Sequence, residues 1–350
     1  MGGTVSGQRA YIGSFTSAGG RGITTAAVDS DSGALSVLSH ADVVPDPSYL
    51  ALASGSGKLY AVSETDDGKA VAFSLADPDR PLLAGGVVPV GGAAPTHLAV
   101  AAGQLFTANY GSGSVSSLPL RADGTPNGQR LAVLPHKGHG PVAERQEGPH
   151  VHAVVADAGW RWLLATDLGT DSVWVYRLDH VGAAPSPHRE VPMRAGTGPR
   201  HLAFHPHGEW AYVINELDST ITSCRWDAEA GALEPLVETP TRPAGTQGAN
   251  YPSALVISAD GRFAWAANRG DDSIAVFALG GRDGAMELLA TVACGGHWPR
   301  DLALDPAGRH LYAANERSGE VAWFTIDAAT GTPRHAGALA APAASCVVCV

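Results

Sequence analysis

Apolar and polar residues alternate along this chain in short runs, and one phrase of that alternation recurs seven times. A proline introduces an apolar run, a turn with Gly or Asp follows, and a second apolar run ends on a small polar residue. The prolines are Pro47, Pro95, Pro149, Pro199, Pro252, Pro299 and Pro342, spaced 43 to 54 residues apart. The clearest copies are Pro199-Arg-His-Leu-Ala-Phe with Ala-Tyr-Val-Ile-Asn-Glu216, and Pro299-Arg-Asp-Leu-Ala-Leu with Leu-Tyr-Ala-Ala-Asn-Glu316. Alternation with period two predicts strands. A repeat of this length with several strands per unit predicts a β-propeller. In the unit opened by Pro252, strands are expected at 254–257, 263–267, 273–277 and 286–292. Turns rich in Gly, Asp and Asn separate them.

The two ends complete one unit. Tyr11-Ile-Gly-Ser-Phe15 matches a second strand, and Ile23–Val28 and Leu35–Ala41 supply the third and fourth. The missing first strand is expected from the run after Pro342, so the C-terminal strand should join the N-terminal three and close the ring. The expected fold class is all-β, a seven-bladed β-propeller with four antiparallel strands per blade. Residues 10–350 form one domain in this reading, and residues 1–9 are a flexible leader. The copies lack the Gly-His and Trp-Asp signature of WD40 repeats.

Composition adds exclusions. The 350 residues carry a net charge of −11, which argues against a nucleic-acid or anionic-membrane partner but not against a small anionic ligand held by local arginines. Of the basic residues only Lys58, Lys69 and Lys137 are lysines, so there are few candidates for a Schiff base. The start has no apolar signal core and no stretch reaches the length of a membrane span. Cys346 and Cys349 have CxxC spacing but lie in the expected closing strand, where packing is the expected role. A reducing cytoplasm, a bacterial source and a monomer or weak oligomer are the expectations that remain.

The repeat also serves as an internal alignment on its prolines. The third residue after each is Leu50, Leu98, His152, Leu202, Leu255, Leu302 and Ser345, mostly a core slot. The first residue after each is Ser48, Thr96, His150, Arg200, Ser253, Arg300 and Ala343, mostly polar and expected to face the central channel. Residues two apart share a strand face, so His150 and His152 should point the same way. His97 and His201 should alternate to the other face, in structural roles. At the end of the second strand, Ser14, Ser63, Asn109, Asp167, Asn215, Asn268 and Asn315 read as turn scaffold. The next slot varies freely: Phe15, Glu64, Tyr110, Leu168, Glu216, Arg269 and Glu316. His150, Arg200, Glu216, Arg269, Arg300 and Glu316 could therefore converge at one mouth, as a ligand site or as solvated Arg–Glu pairs. Tyr110 and Glu64 are candidate binding residues on the same grounds. A long insertion, 136–149, should lie over that mouth, where His136, His139, Glu144 and Arg145 could reach a ligand. No nucleophile elbow, zinc motif or phosphate loop is present. His150-x-His152 offers too few ligands for a confident metal site, and no cofactor is expected.

Tyr11-Ile-Gly-Ser-Phe-Thr16, Ala108-Asn-Tyr-Gly-Ser-Gly-Ser-Val115, Glu144-Arg-Gln-Glu-Gly-Pro-His-Val-His152, Gly198-Pro-Arg-His-Leu-Ala-Phe-His-Pro206 and Tyr212-Val-Ile-Asn-Glu-Leu217 together resemble the lactonase family of seven-bladed propellers. That family includes propeller-type 6-phosphogluconolactonases and carboxy-cis,cis-muconate cyclases. The resemblance implies a site of one blade-four histidine (His150 or His152), Arg200, Glu216 and Arg269. It implies hydrolysis of a small anionic or sugar lactone, with a histidine or Glu216 as base and Arg200 and Arg269 as anion binders. A cycloisomerase, a repurposed enzyme of specialised metabolism and a non-catalytic binding propeller remain alternatives.

Overall fold

A computed structural model describes residues 7–53, 55–179 and 181–350, with Asp283 described by its backbone alone. Seven four-stranded antiparallel sheets are arranged as blades. Blade one joins Ala344–Cys349 to Arg9–Ser14, Ile23–Val28 and Leu35–Ala41, with Tyr11 opposite Val348, so the chain termini close the ring as expected. Residues 1–6 of the expected leader lie outside the described residues. The first strand starts at Arg9, whose backbone bonds to Val350 in both directions. Blades two to seven follow in sequence, with first strands at Leu50–Ala53, Pro95–Ala101, Val151–Ala156, Pro199–Phe204, Tyr251–Ile257 and Pro299–Leu304. These first strands pack against one another around the centre. The core lies between neighbouring blades. Tyr11 and Ile23 of blade one pack with Leu59, Val71 and Phe73 of blade two, and Tyr212 and Ile221 of blade five pack with Ala264 and Phe277 of blade six.

One local device repeats at the channel. Pro199 pairs with Asn215 but His201 pairs with Ile214, so Arg200 is the extra residue of a β-bulge. The same shift leaves Thr96 unpaired in blade three and Arg300 in blade seven. Proline suits the position, because it has no N–H to lose from the ladder. In blade four the residue opposite the scaffold position Asp167 is Val151, not Pro149, and His152 is the bulged residue. In blade one Ala344 stands opposite Ser14, and Ser345 is bulged.

This corrects the proline alignment. Pro149 and Pro342 lie two residues ahead of the structural start of their strands. The channel slot is Ser48, Thr96, His152, Arg200, Ser253, Arg300 and Ser345, polar in every blade. His152 therefore leaves the leucine slot, which Val154 and Val347 fill in blades four and one. Several slot side chains tie one first strand to another: Ser345 Oγ donates to the Ser48 carbonyl at 2.8 Å, Thr96 Oγ1 to His152 at 3.0 Å and Ser253 Oγ to Pro299 at 2.6 Å.

Candidate active site

At the mouth where first strands begin and second strands end, a cavity of about 180 Å³ is lined by Glu64, Thr96, Tyr110, Arg145, His152, Glu216, Arg269 and Arg300. Glu216 organises one side. Its Oε1 accepts from Arg145 Nη2 at 2.5 Å and its Oε2 from Arg269 Nη2 at 2.6 Å. Arg200 Nε lies 3.1 Å from Oε2 in an ion pair that is not aligned as a hydrogen bond. Burial alone would raise the Glu216 carboxyl, but Arg269, Arg200 and Arg145 outweigh it and hold it at about 2. Arg200 sits beneath the cavity, 2 % exposed, donating to the Ser253 carbonyl. Burial and the facing Arg269 push it down to about 9, so it stays cationic at neutral pH. Arg269 also donates from Nε to the Tyr251 carbonyl at 2.9 Å, and its guanidinium lies 5.5 Å from the Trp298 ring centre. Arg317 covers the same ring at 3.4 Å.

The other side is sparser. Arg300 Nη1 is 3.4 Å from Glu316 Oε2, and its Nη2 is 3.7 Å from Glu64 Oε1. Its guanidinium lies over Phe15 at 4.9 Å. Glu64 Oε2 accepts from the buried Ser48 hydroxyl. Burial raises the Glu64 carboxyl above its ordinary range despite Arg300 and Ser48.

Between the two clusters stands His152, buried, with Nδ1 lacking a partner among the described residues. Burial and the surrounding Arg200, Arg300 and Arg269 press its pKa well below the usual imidazole value, so the ring is neutral. It meets Tyr110 edge-on at 5.7 Å and His201 at 5.4 Å. His201 in turn meets His97 at 5.1 Å. The expected alternation of His97 and His201 to the other face therefore fails. The bulge brings both into the channel, where they line a second cavity, of about 370 Å³, with Tyr49 and Asp301.

His150 does not face the mouth cavity. Its ring stacks on Tyr110 at 4.5 Å, Nδ1 donates to the Tyr110 carbonyl at 3.0 Å, and Nε2 is 3.2 Å from Glu147. It does not point with His152, because the true strand begins at Val151. Of the residues singled out from sequence, Glu64, Tyr110, Arg145, His152, Glu216, Arg269 and Arg300 come together on the cavity wall. Arg200 and Glu316 stand behind it, and His150 is outside.

The insertion is pinned by a residue that sequence reading sent toward the ligand. His136 is fully buried: Nδ1 donates to Asp167 Oδ2 at 2.6 Å, Nε2 meets the Tyr176 hydroxyl at 2.6 Å, and the ring stacks on Trp174. Asp167 is the one Asp in a slot of Asn and Ser, and that exception was the available signal. Elsewhere Asn109 and Asn215 donate to third-strand hydroxyls, whereas Asp167 can only accept, and it accepts His136. Gln146 ties the far end to the Leu168 carbonyl at 2.8 Å and packs where a Cβ on Gly140 would clash. Arg145, next to Gln146, is thereby delivered onto Glu216. His139 and Glu144 are exposed. Thr96 and Trp298 were missed. Thr96 was visible as a channel-slot residue, and Trp298 as the only Trp directly preceding a repeat proline.

Residues 9–349 match the profile of the family described as Lactonase, 7-bladed beta-propeller. The chain belongs to that family. It is 33% identical over 291 residues to the 6-phosphogluconolactonase of Bacillus subtilis, covering 82% of each chain. The periplasmic gluconolactonase of Pseudomonas aeruginosa superposes with a TM-score of 0.91 at 30% identity, covering 98% of this chain and 99% of the other. A Lactobacillus plantarum protein superposes at 0.90 with 31% identity over 98% and 99%. Among the described residues of this lactonase-family chain, no group of three or more His, Cys, Asp or Glu could hold a metal ion.

Proposed function

We propose that the chain hydrolyses a small sugar-derived lactone in the mouth cavity. The observation that carries the reading is a cavity wall of Arg145, Arg269 and Arg300 held in place by the buried Glu216 and the half-buried Glu316 beside a neutral His152. Preorganised cationic donors stabilise the oxyanion that forms when water adds to the lactone carbonyl, and they bind the carboxylate product. His152, uncharged on the cavity wall, can contact the substrate without adding a cation beside the arginines. Glu216, saturated and held at about 2, acts as the counter-charge that aims them rather than as a proton acceptor. The names of the Bacillus and Pseudomonas relatives support the substrate class.

The partner in this reading is a small molecule rather than nucleic acid or an anionic membrane, in keeping with the acidic net charge. Four unpaired cysteines favour a reducing compartment, unlike the periplasm stated for the Pseudomonas protein. The test is ring opening of 6-phosphogluconolactone and of plain gluconolactone by the purified chain, with spontaneous hydrolysis subtracted and a carboxymuconate as control. Turnover of a lactone is expected. Turnover of the carboxymuconate alone would replace hydrolysis by cycloisomerisation.

A further inference from the structure

Three glutamates reach the mouth from one slot, the residue after the small polar one that ends a second strand, yet their free valences differ. Both oxygens of Glu216 are taken by arginines. Glu316 pairs with Arg300 and stays off the cavity wall. Glu64 lines the cavity with one oxygen engaged and one open: Oε2 accepts from Ser48, while Oε1 meets only Arg300, at 3.7 Å and out of hydrogen-bond reach. Ser48 is itself buried just ahead of the inner strand of blade two, so the carboxylate is held in a fixed orientation with a lone pair available to a water in the cavity.

We propose that Glu64 is the general base of the reaction, an assignment that rests on the lactone hydrolysis proposed above. Glu64 takes a proton from water as the water oxygen bonds to the lactone carbonyl carbon, and the arginines hold the resulting oxyanion. Collapse breaks the bond to the ring oxygen, which takes the proton back from Glu64 and leaves as the alcohol. The new carboxylic acid ionises to solvent, so lactone and water become hydroxy acid with Glu64 regenerated. The electrostatics agree with the geometry. Burial lifts the Glu64 carboxyl, with Glu316 adding to it and Arg300, Ser48 and Arg200 opposing, whereas Glu216 is pressed to about 2. The more basic carboxylate is the better proton acceptor, and His152 is depressed by burial and by Arg200.

The experiment is the pH profile of kcat/KM for gluconolactone hydrolysis by the full chain and two variants, with the spontaneous rate subtracted. The wild type should lose activity on the acid side, at a pH above the ordinary carboxylate range. Glu64→Gln, which keeps the shape, should lower the rate on the order of 10²–10⁴-fold and abolish that limb. Ser48→Ala removes a hydrogen bond to the ionised form, so the limb should move to higher pH. A Glu64→Gln protein with the wild-type rate and limb overturns the assignment while leaving hydrolysis intact. If Glu64→Gln does not fold, an unshifted limb in Ser48→Ala overturns it instead. A wild type no faster than the spontaneous rate on any lactone overturns the proposed hydrolysis and the base with it.

Discussion

Glu216 of blade five and Glu64 of blade two occupy the same slot of the repeat and line the same cavity, yet their surroundings drive them in opposite directions. Glu216 is crossed by three arginines from the insertion, blade five and blade six, and its carboxyl falls to about 2. Glu64 has one distant arginine and a serine, and burial prevails. The slot decides where a side chain points. The neighbouring blades decide what charge it can carry. Two carboxyl groups pushed apart in this way can divide the work, one organising cations and one moving protons.

The strongest way to break the contrast is Glu216→Gln. It leaves Arg145, Arg200 and Arg269 facing one another without their counter-charge, which should cost roughly 3–5 kcal/mol of stability and on the order of 10²–10³ in rate. The sign in pH follows from a depressed acid. The stabilisation is fully present above the ordinary value near 4.5 and is lost as pH falls through about 2. Urea unfolding should therefore separate variant from wild type at pH 7 and bring them together in acid. A constant gap would mean that the glutamine disturbs packing rather than charge.

Arg145→Ala should act more mildly, because Arg145 is partly exposed and two arginines remain on Glu216. A loss of about tenfold in kcat/KM is expected, the equivalent of one charge-assisted hydrogen bond reduced by solvent. His136→Ala should reproduce part of that loss from a distance while costing roughly 1–3 kcal/mol for the unpaired Asp167 and Tyr176. For Glu64→Gln the stability effect should have the opposite sign to that of Glu216→Gln. Its raised carboxyl makes ionisation in the folded state unfavourable, so the variant should match or exceed wild-type stability at neutral pH. The difference should vanish as pH falls and Glu64 takes up its proton.

The blades were legible in the sequence because period-two alternation and turn residues mark strands without reference to tertiary contacts. The span expected at 273–277 is observed as Ser273–Ala278, and ring closure followed from counting which strand the N-terminus lacked. Register at the channel was harder to read. Proline is favoured where the chain enters a strand, but loops favour it too, and Pro149 and Pro342 belong to the loops. Aligning on the apolar slot instead sets Val154 beside Leu98 and Leu202, and His152 beside Thr96 and Arg200. The contacts of Arg145 and Trp298 were beyond reach, since they depend on how the insertion folds back and on stacking between blades.

That register bears on the smallest effect, the one at His150. A reading by proline makes His150 the channel residue; a reading by strand pairing makes it His152. Alanine at 152 removes a buried ring from the cavity wall and should abolish most turnover. Alanine at 150 keeps the backbone N–H that Asp167 accepts at 2.8 Å and removes the stack on Tyr110, the hydrogen bond to the Tyr110 carbonyl and the contact with Glu147. An aromatic stack of this kind contributes about 0.5–1.5 kcal/mol, so kcat/KM should fall by less than about tenfold, through a less firmly held Tyr110. A larger loss at 150 than at 152 would restore the proline register and move the reacting centre outward to the rim.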